Sequence, residues 1–171
     1  MMAKKRVKEK KAGTGPQWIK LLGSFIICFG AAAAGSFFTS DSISTWYSTI
    51  NKPWFNPPNW VFGPVWTLLY SLMAVSLYLV WKQGLDDKNV MEAVATFLIQ
   101  LILNIAWSLL FFGLHAPALA FGVIILLAMS IAATINAFSK LSKTAGLLLY
   151  PYLLWVCFAS ILNAFIWQLN P

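Results

Sequence analysis

Acidic side chains are nearly missing from this chain: 5 of its 171 residues are Asp or Glu, and charged residues of both signs make up 10%. A soluble globular domain carries about 25% charged residues, so that class is excluded. Histidine occurs once, at His115, and no Asp, Glu, Lys or Arg falls deep inside a long apolar run. Hydrolytic catalysis therefore has no nucleophile–base pair to use, and proton- or ion-coupled transport has no ionisable relay. Cysteine occurs twice, at Cys28 and Cys157, both within apolar runs. No disulfide framework or metal-ligand spacing can be built from them, and they read as free thiols in packing roles. Strict apolar–polar alternation is missing as well, which excludes the strands of a membrane barrel.

What remains is apolar: 60% of the residues are hydrophobic and the mean hydropathy is +0.73. Five runs are long enough to cross a bilayer, at about Lys20–Thr39, Phe62–Trp81, Met91–Phe112, Ala116–Phe138 and Gly146–Gln168. Backbone groups in hydrocarbon must pair within their own segment, so these runs are helices. The chain is read as an all-α membrane protein: a five-transmembrane-helix bundle over residues 18–171, preceded by a basic tail, residues 1–17, expected to be disordered. Of 12 basic residues, 11 fall on one side of such a bundle: seven up to Lys20, then Lys82, Lys88, Lys140 and Lys143. Lys52 stands alone on the other. The excess of positive charge on the cytoplasmic side predicts a cytoplasmic N-terminus and suits a bacterial inner membrane. The tail MMAKKRVKEKKAGTGP then reads as a topological determinant at anionic lipid headgroups, not a nucleic-acid contact. The first run is long for the apolar region of a cleaved signal peptide and is kept as a helix.

Aromatic residues reach 16%, more than spanning requires. They concentrate in Trp46–Trp66, WYSTINKPWFNPPNWVFGPVW, with four Trp (46, 54, 60, 66) and four Pro (53, 57, 58, 64). Proline breaks helices and indoles prefer the membrane–water boundary. The stretch is expected to be a rigid, extended, extracytoplasmic connector able to act as a lid. Trp18, Trp81 and Trp167 read as boundary anchors. The small residues of the first run, Gly23 and Gly30–Ser36, suit close helix packing. In the second, Pro64 lies in the first turn, and Trp66 and Tyr70 share a face. The third carries Gln100, Asn104 and Ser108 at i, i+4 and i+8, extended by Trp107 and Phe111. Amides in hydrocarbon need partners, and interhelical hydrogen bonding and a cavity wall are both open readings. In the fifth, Pro151 is expected to kink the helix. Beyond it Tyr152, Trp155, Ala159 and Asn163 fall on one face, with Ala159 leaving room for a guest. Topology brings Trp66, Asn104, Trp107, Trp155 and Asn163 to a shared depth beneath the connector. Aromatic walls, a few amides and no charge suit a flat, largely apolar ligand. His115, in a short outer turn, reads as an interfacial histidine, with a haem axial ligand as the alternative.

Four segments taken in order resemble the translocator protein family, also called tryptophan-rich sensory proteins or peripheral benzodiazepine receptors. They are WY at Trp46–Tyr47, KPWFNPPNWVFGPVWTLLY at Lys52–Tyr70, QLILNIAWSLLFF at Gln100–Phe112 and PYLLWVCFASILNAFIW at Pro151–Trp167. The resemblance covers roughly Gly23–Asn170. It implies a five-helix bundle, commonly a homodimer, with a ligand cavity closed by the first loop and no required cofactor. Implied ligands are tetrapyrroles such as protoporphyrin IX and haem, synthetic isoquinoline carboxamides and benzodiazepines, and sterols in animals. Carried over by motif, Trp66 and Trp155 would flank the ligand, Tyr47, Asn104, Trp107 and Ala159 would line the cavity, and Asn163 would form its outer wall. Leu162–Gln168 lacks the Tyr and the following Lys or Arg of the animal sterol pattern, so sterol binding by that route is not expected. A porphyrin's propionates are too costly to bury at depth and are expected to point outward, toward Lys52. The role the resemblance implies is a tetrapyrrole-binding receptor or sensor. The alternatives are transport of such ligands and light-dependent porphyrin degradation, for which Trp66 and Trp155 would be the residues concerned.

Overall fold

The computed structural model describes residues 16–171. The expected disordered tail therefore lies outside the described residues, apart from Pro16 and Gln17. The helices are α1 (Gln17–Ser44), α2 (Trp46–Thr49), α3 (Phe62–Trp81), α4 (Lys88–Ser108), α5 (Pro117–Leu141), α6 (Lys143–Leu147) and α7 (Tyr150–Leu169). They make five membrane-crossing segments, because a 3-10 turn (Asn59–Val61) leads into α3, a π turn (Leu109–Gly113) extends α4, and α6 runs into α7. The five-helix bundle is as the hydropathy predicts. Lys20, Lys82, Lys88, Lys140 and Lys143 lie at one end of it, here the basic end; α2, the connector and Lys52 lie at the other, the loop end.

Helix α5 packs on α4 and α7, while α1 packs on α3 and α4. The half toward the basic end is solid, with Met73, Leu77, Val80, Val90, Phe97 and Phe138 fully buried and the Phe97 and Phe138 rings stacked at 5.6 Å. Small residues set how closely α1 approaches. A Cβ on Gly23 would lie 3.1 Å from the Trp81 ring, and one on Gly35 would lie 3.3 Å from Ser108 Oγ. Trp81, expected only as a boundary anchor, thus also covers Gly23.

Two expectations are corrected. Pro151 does not kink a continuous helix: the fifth crossing breaks at Leu148–Leu149, and Pro151 occupies the first turn of α7. A first-turn residue has no N–H to contribute to the helix, so proline costs little there. Just before the break the Ala145 carbonyl takes a hydrogen bond from Ser76 Oγ at 2.7 Å, which ties α6 to α3. The connector, for its part, is not extended throughout. Its prolines lie at 53, 57, 58 and 64, so Trp46–Thr49 is free to coil, and Val61 N–H donates to the Pro58 carbonyl at 3.0 Å to close the 3-10 turn.

Candidate ligand-binding cavity

Toward the loop end the bundle is hollow, with a cavity of about 550 Å³. Helix α1 supplies a wall of small residues, among them Ala32, Ala33 and Ser36; α3 supplies Phe62, Trp66 and Tyr70; α4 supplies Asn104, Trp107 and Ser108; α7 supplies Trp155, Ala159 and Asn163. Tyr47 of α2, with Phe111 and Phe112 of the π turn, closes the loop end. The π turn matters locally. Leu114 N–H bonds back to the Leu109 carbonyl at 2.8 Å, and the widened turn leaves the consecutive Phe111 and Phe112 both buried and packed on the Tyr47 ring at 6.3 and 5.7 Å. Ala33, Ser36, Gly63 and Thr67 line the cavity and are also exposed, so the wall is thinnest between α1 and α3.

No Asp, Glu, Lys, Arg or His is among the described residues lining this space. Its polarity comes from amides and hydroxyls, and both amides are already partnered. Asn104 Nδ2 donates to the Tyr152 hydroxyl at 2.9 Å. Trp107 Nε1 donates to Asn163 Oδ1 at 3.0 Å, and Asn163 Nδ2 donates to the Pro117 carbonyl at 2.8 Å. One amide thus joins α7 to both α4 and α5. Of the α4 amides, Asn104 fulfils both readings left open, bonding across helices and lining the cavity, whereas Gln100 fulfils neither. Trp66 lies 5.5 Å from the Tyr70 ring and 6.2 Å from the Tyr152 ring, and Trp155 meets Phe62 edge-on at 6.0 Å.

Of the eight candidate residues, the structure brings seven to this wall: Tyr47, Trp66, Asn104, Trp107, Trp155, Ala159 and Asn163. Lys52 is not on it. Its Nζ donates to the Tyr47 carbonyl at 2.6 Å and the Ile50 carbonyl at 3.1 Å and sits 5.0 Å from the Tyr47 ring, so it staples the lid to itself. His115 is also off the wall. It is exposed, adopts a left-handed backbone (φ 50) and stacks on Trp46 at 4.5 Å. Its Nε2 lies 3.3 Å from Ser42 Oγ, whose own proton goes to the Phe112 carbonyl at 2.5 Å. The α1 wall was missed in the sequence because small residues there signal close packing. Gly35 is used that way against Ser108, and together with Ala32, Ala33 and Ser36 it also borders the hollow.

The lid is held at several points. The Tyr47 hydroxyl donates to Asn56 Oδ1 at 2.5 Å, and burial pushes this phenol up to about 12, so it is a neutral donor at physiological pH. Asn51 N–H donates to Asn170 Oδ1 at 3.0 Å while Asn170 Nδ2 donates to the Asn51 carbonyl at 2.9 Å. Phe55 packs edge-on against Phe165 at 5.2 Å.

Five membrane-crossing helices around an uncharged, aromatic-walled hollow under a tethered loop define an integral, multi-pass membrane protein with an internal cavity. The chain belongs to the TspO/MBR family, whose model matches residues 24–168. It is 48% identical over 152 residues to the tryptophan-rich protein TspO of Archaeoglobus fulgidus, covering 89% of this chain and 97% of that protein. Similarity to the translocator protein of Homo sapiens is 38% identity over 157 residues, covering 91% and 92%. With the tryptophan-rich sensory protein of Cereibacter sphaeroides it is 37% over 153 residues, covering 90% and 92%.

Proposed function

We propose that this protein is a membrane receptor or sensor that binds a flat tetrapyrrole, protoporphyrin IX or haem, in the cavity beneath the Tyr47 lid. The observation that carries this reading is an uncharged hollow of about 550 Å³, within the usual size range of ligand sites, with indoles from three helices on its wall. Each good aromatic stack with a porphyrin face contributes about 0.5–1.5 kcal/mol beyond burial. The propionates belong at the loop end, since a carboxylate at mid-membrane costs about 3 kcal/mol or more. In the same reading the basic end faces the cytoplasm of an inner membrane and the protein acts as a homodimer.

The test is titration with protoporphyrin IX in nanodiscs, followed by the Soret band and by Trp fluorescence. The Trp66→Leu/Trp155→Leu variant is expected to lose about tenfold or more in affinity, the sum of two stacks. Equal affinity in both proteins rejects the site. Light-dependent porphyrin oxidation is a second reading, favoured by the contact of Trp66 with the oxidisable rings of Tyr70 and Tyr152. It requires bleaching of the Soret band under illumination in air, abolished by Trp66→Phe or Trp155→Phe.

A further inference from the structure

An open cleft of about 380 Å³ lies on the outer surface of the solid half, between α5 and α7, lined by Ala132, Ile135, Asn136, Ser139, Tyr150 and Leu153. It shares no residue with the cavity under the lid. Its polarity is graded with depth. Helix α5 runs toward the basic end and α7 away from it, so Asn136, Ser139 and Tyr150 form a polar rim at the basic end while Ala132 and Leu153 lie deeper. Asn136 and Tyr150 are exposed and Ser139 is half-buried. Among the described residues no hydrogen bond occupies any of these three side chains. At 1.5 Å per residue, Asn136 lies about 7.5 Å short of the end of α5. A helix of 25 residues outreaches the hydrocarbon core by about 7 Å in all. The Asn136 amide therefore sits at the edge of hydrocarbon, where an unmade hydrogen bond is costly and the nearest partners are lipid headgroups.

Charge narrows the class. From Ala93 to Pro171 the chain has no Asp or Glu, and its only lysines are Lys140 and Lys143. Lys140 is one turn beyond Asn136 and shares its helix face. Lys143 opens α6, one turn before Gly146, whose backbone packs so closely on α5 that an added Cβ would clash with Ser139 Oγ. Both lysines are exposed, and the one ion pair among the described residues, Lys88 with Glu92, involves neither. The rim thus offers two ammonium groups, two hydroxyls and an amide, with no carboxylate. Its complement is an anion rich in acceptors, and a phosphodiester presents acceptors alone on a single negative charge. Free phosphate would use only the rim. The apolar half of the cleft, continuing toward mid-membrane, fits an acyl chain joined to that phosphate.

We propose that this cleft binds one anionic glycerophospholipid, its phosphodiester held by Asn136, Ser139, Tyr150 and Lys140 and an acyl chain lying over Ala132 and Leu153. The site depends neither on the tetrapyrrole reading nor on which leaflet the basic end faces. A zwitterionic lipid carries the same phosphate, but its own cation would face the lysines with no carboxylate to meet it. The test is native mass spectrometry of the detergent-purified protein with equimolar dioleoylphosphatidylglycerol and dioleoylphosphatidylcholine. The wild type is expected to retain one phosphatidylglycerol about tenfold more tightly than phosphatidylcholine, the effect of one charge-assisted hydrogen bond. Asn136→Leu/Lys140→Gln is expected to lose that preference. Lys82→Gln, which removes the same charge at the same end, is expected to keep it. Equal retention of both lipids by the wild type, or the same loss in Lys82→Gln, overturns the proposal.

A second measurement needs no variant. Phosphatidylglycerol carrying a photoreactive diazirine on its headgroup is cross-linked to the wild type in nanodiscs, and the labelled peptides are mapped. Label is expected within Ala132–Leu153; label spread evenly over all the lysines of the basic end overturns the proposal. Release of the bound lipid by inorganic phosphate, which would mark a site for the free anion, overturns it as well.

Discussion

Asn163 holds three helices with one side chain, accepting from Trp107 and donating to Pro117. Asn163→Leu leaves a buried indole N–H without its acceptor and removes the side-chain tie to the Pro117 carbonyl at once. A stability loss of about 2 kcal/mol is expected, since leaving a buried group unsatisfied costs more than the net value of the bond. Thermal unfolding in detergent checks it, and a loss no larger than the roughly 0.6 kcal/mol typical of an interhelical membrane bond means the partners find new ones. Tyr47 makes a pH prediction. Its folded-state value of about 12 lies above the ordinary value near 10, so between the two the unfolded chain releases a proton that the folded one retains. The contribution is intact below pH 10 and is lost as pH rises toward 12. Wild type is therefore expected to lose more stability than Tyr47→Phe between pH 9 and 11, measured by unfolding midpoints. Equal losses mean the phenol titrates freely.

At the scale of elements, the lid is positioned by the C-terminal end of α7. Asn51 and Asn170 pair reciprocally through backbone and side chain, and Asn170 Nδ2 also reaches the Ile166 carbonyl at 2.8 Å. Asn170→Ala is expected to speed hydrogen exchange at the Asn51 amide by about tenfold, in line with the loss of a bond or two at an exposed site; unchanged exchange means the packing of Phe55 alone holds the loop. Lys52 shows where sequence reasoning stops. Its position at the loop end was legible from charge placement. Its partners were not, because a flexible ammonium takes the nearest carbonyls, and here those belong to its own loop. Pro151 is similar: a proline in an apolar run announces a disturbed helix, but whether it kinks a helix or begins one depends on how the residues before it pack. Ser76 on another helix captures the Ala145 carbonyl there.

Across the whole molecule, packing is uneven: solid toward the basic end, hollow toward the loop end. Filling the hollow separates binding from stability. Ala159→Phe adds a ring into open space on the cavity wall, so porphyrin affinity is expected to fall by more than tenfold while the unfolding temperature holds or rises, because new apolar contacts replace empty volume. A fall in both would mean that the space around Ala159 is too tight to accept a ring. The placement of five of the six described lysines at one end predicts that a reporter fused after Pro171 is active outside the cytoplasm. Activity inside would reverse the orientation.

The five crossings were set by the sequence alone, because a run's length and hydropathy are local properties measured against a fixed bilayer thickness. Helical periodicity also placed Asn104, Trp107, Trp155, Ala159 and Asn163 on inward faces, since backbone geometry dictates which residues share a side. Only the tertiary structure decided that the small face of α1 borders a hollow instead of closing it. Only it decided that Asn104 and Asn163 are paired while Gln100 is not. Those outcomes depend on the distance and rotation between helices, which arise from summed contacts among residues far apart in the chain and leave no local trace in it.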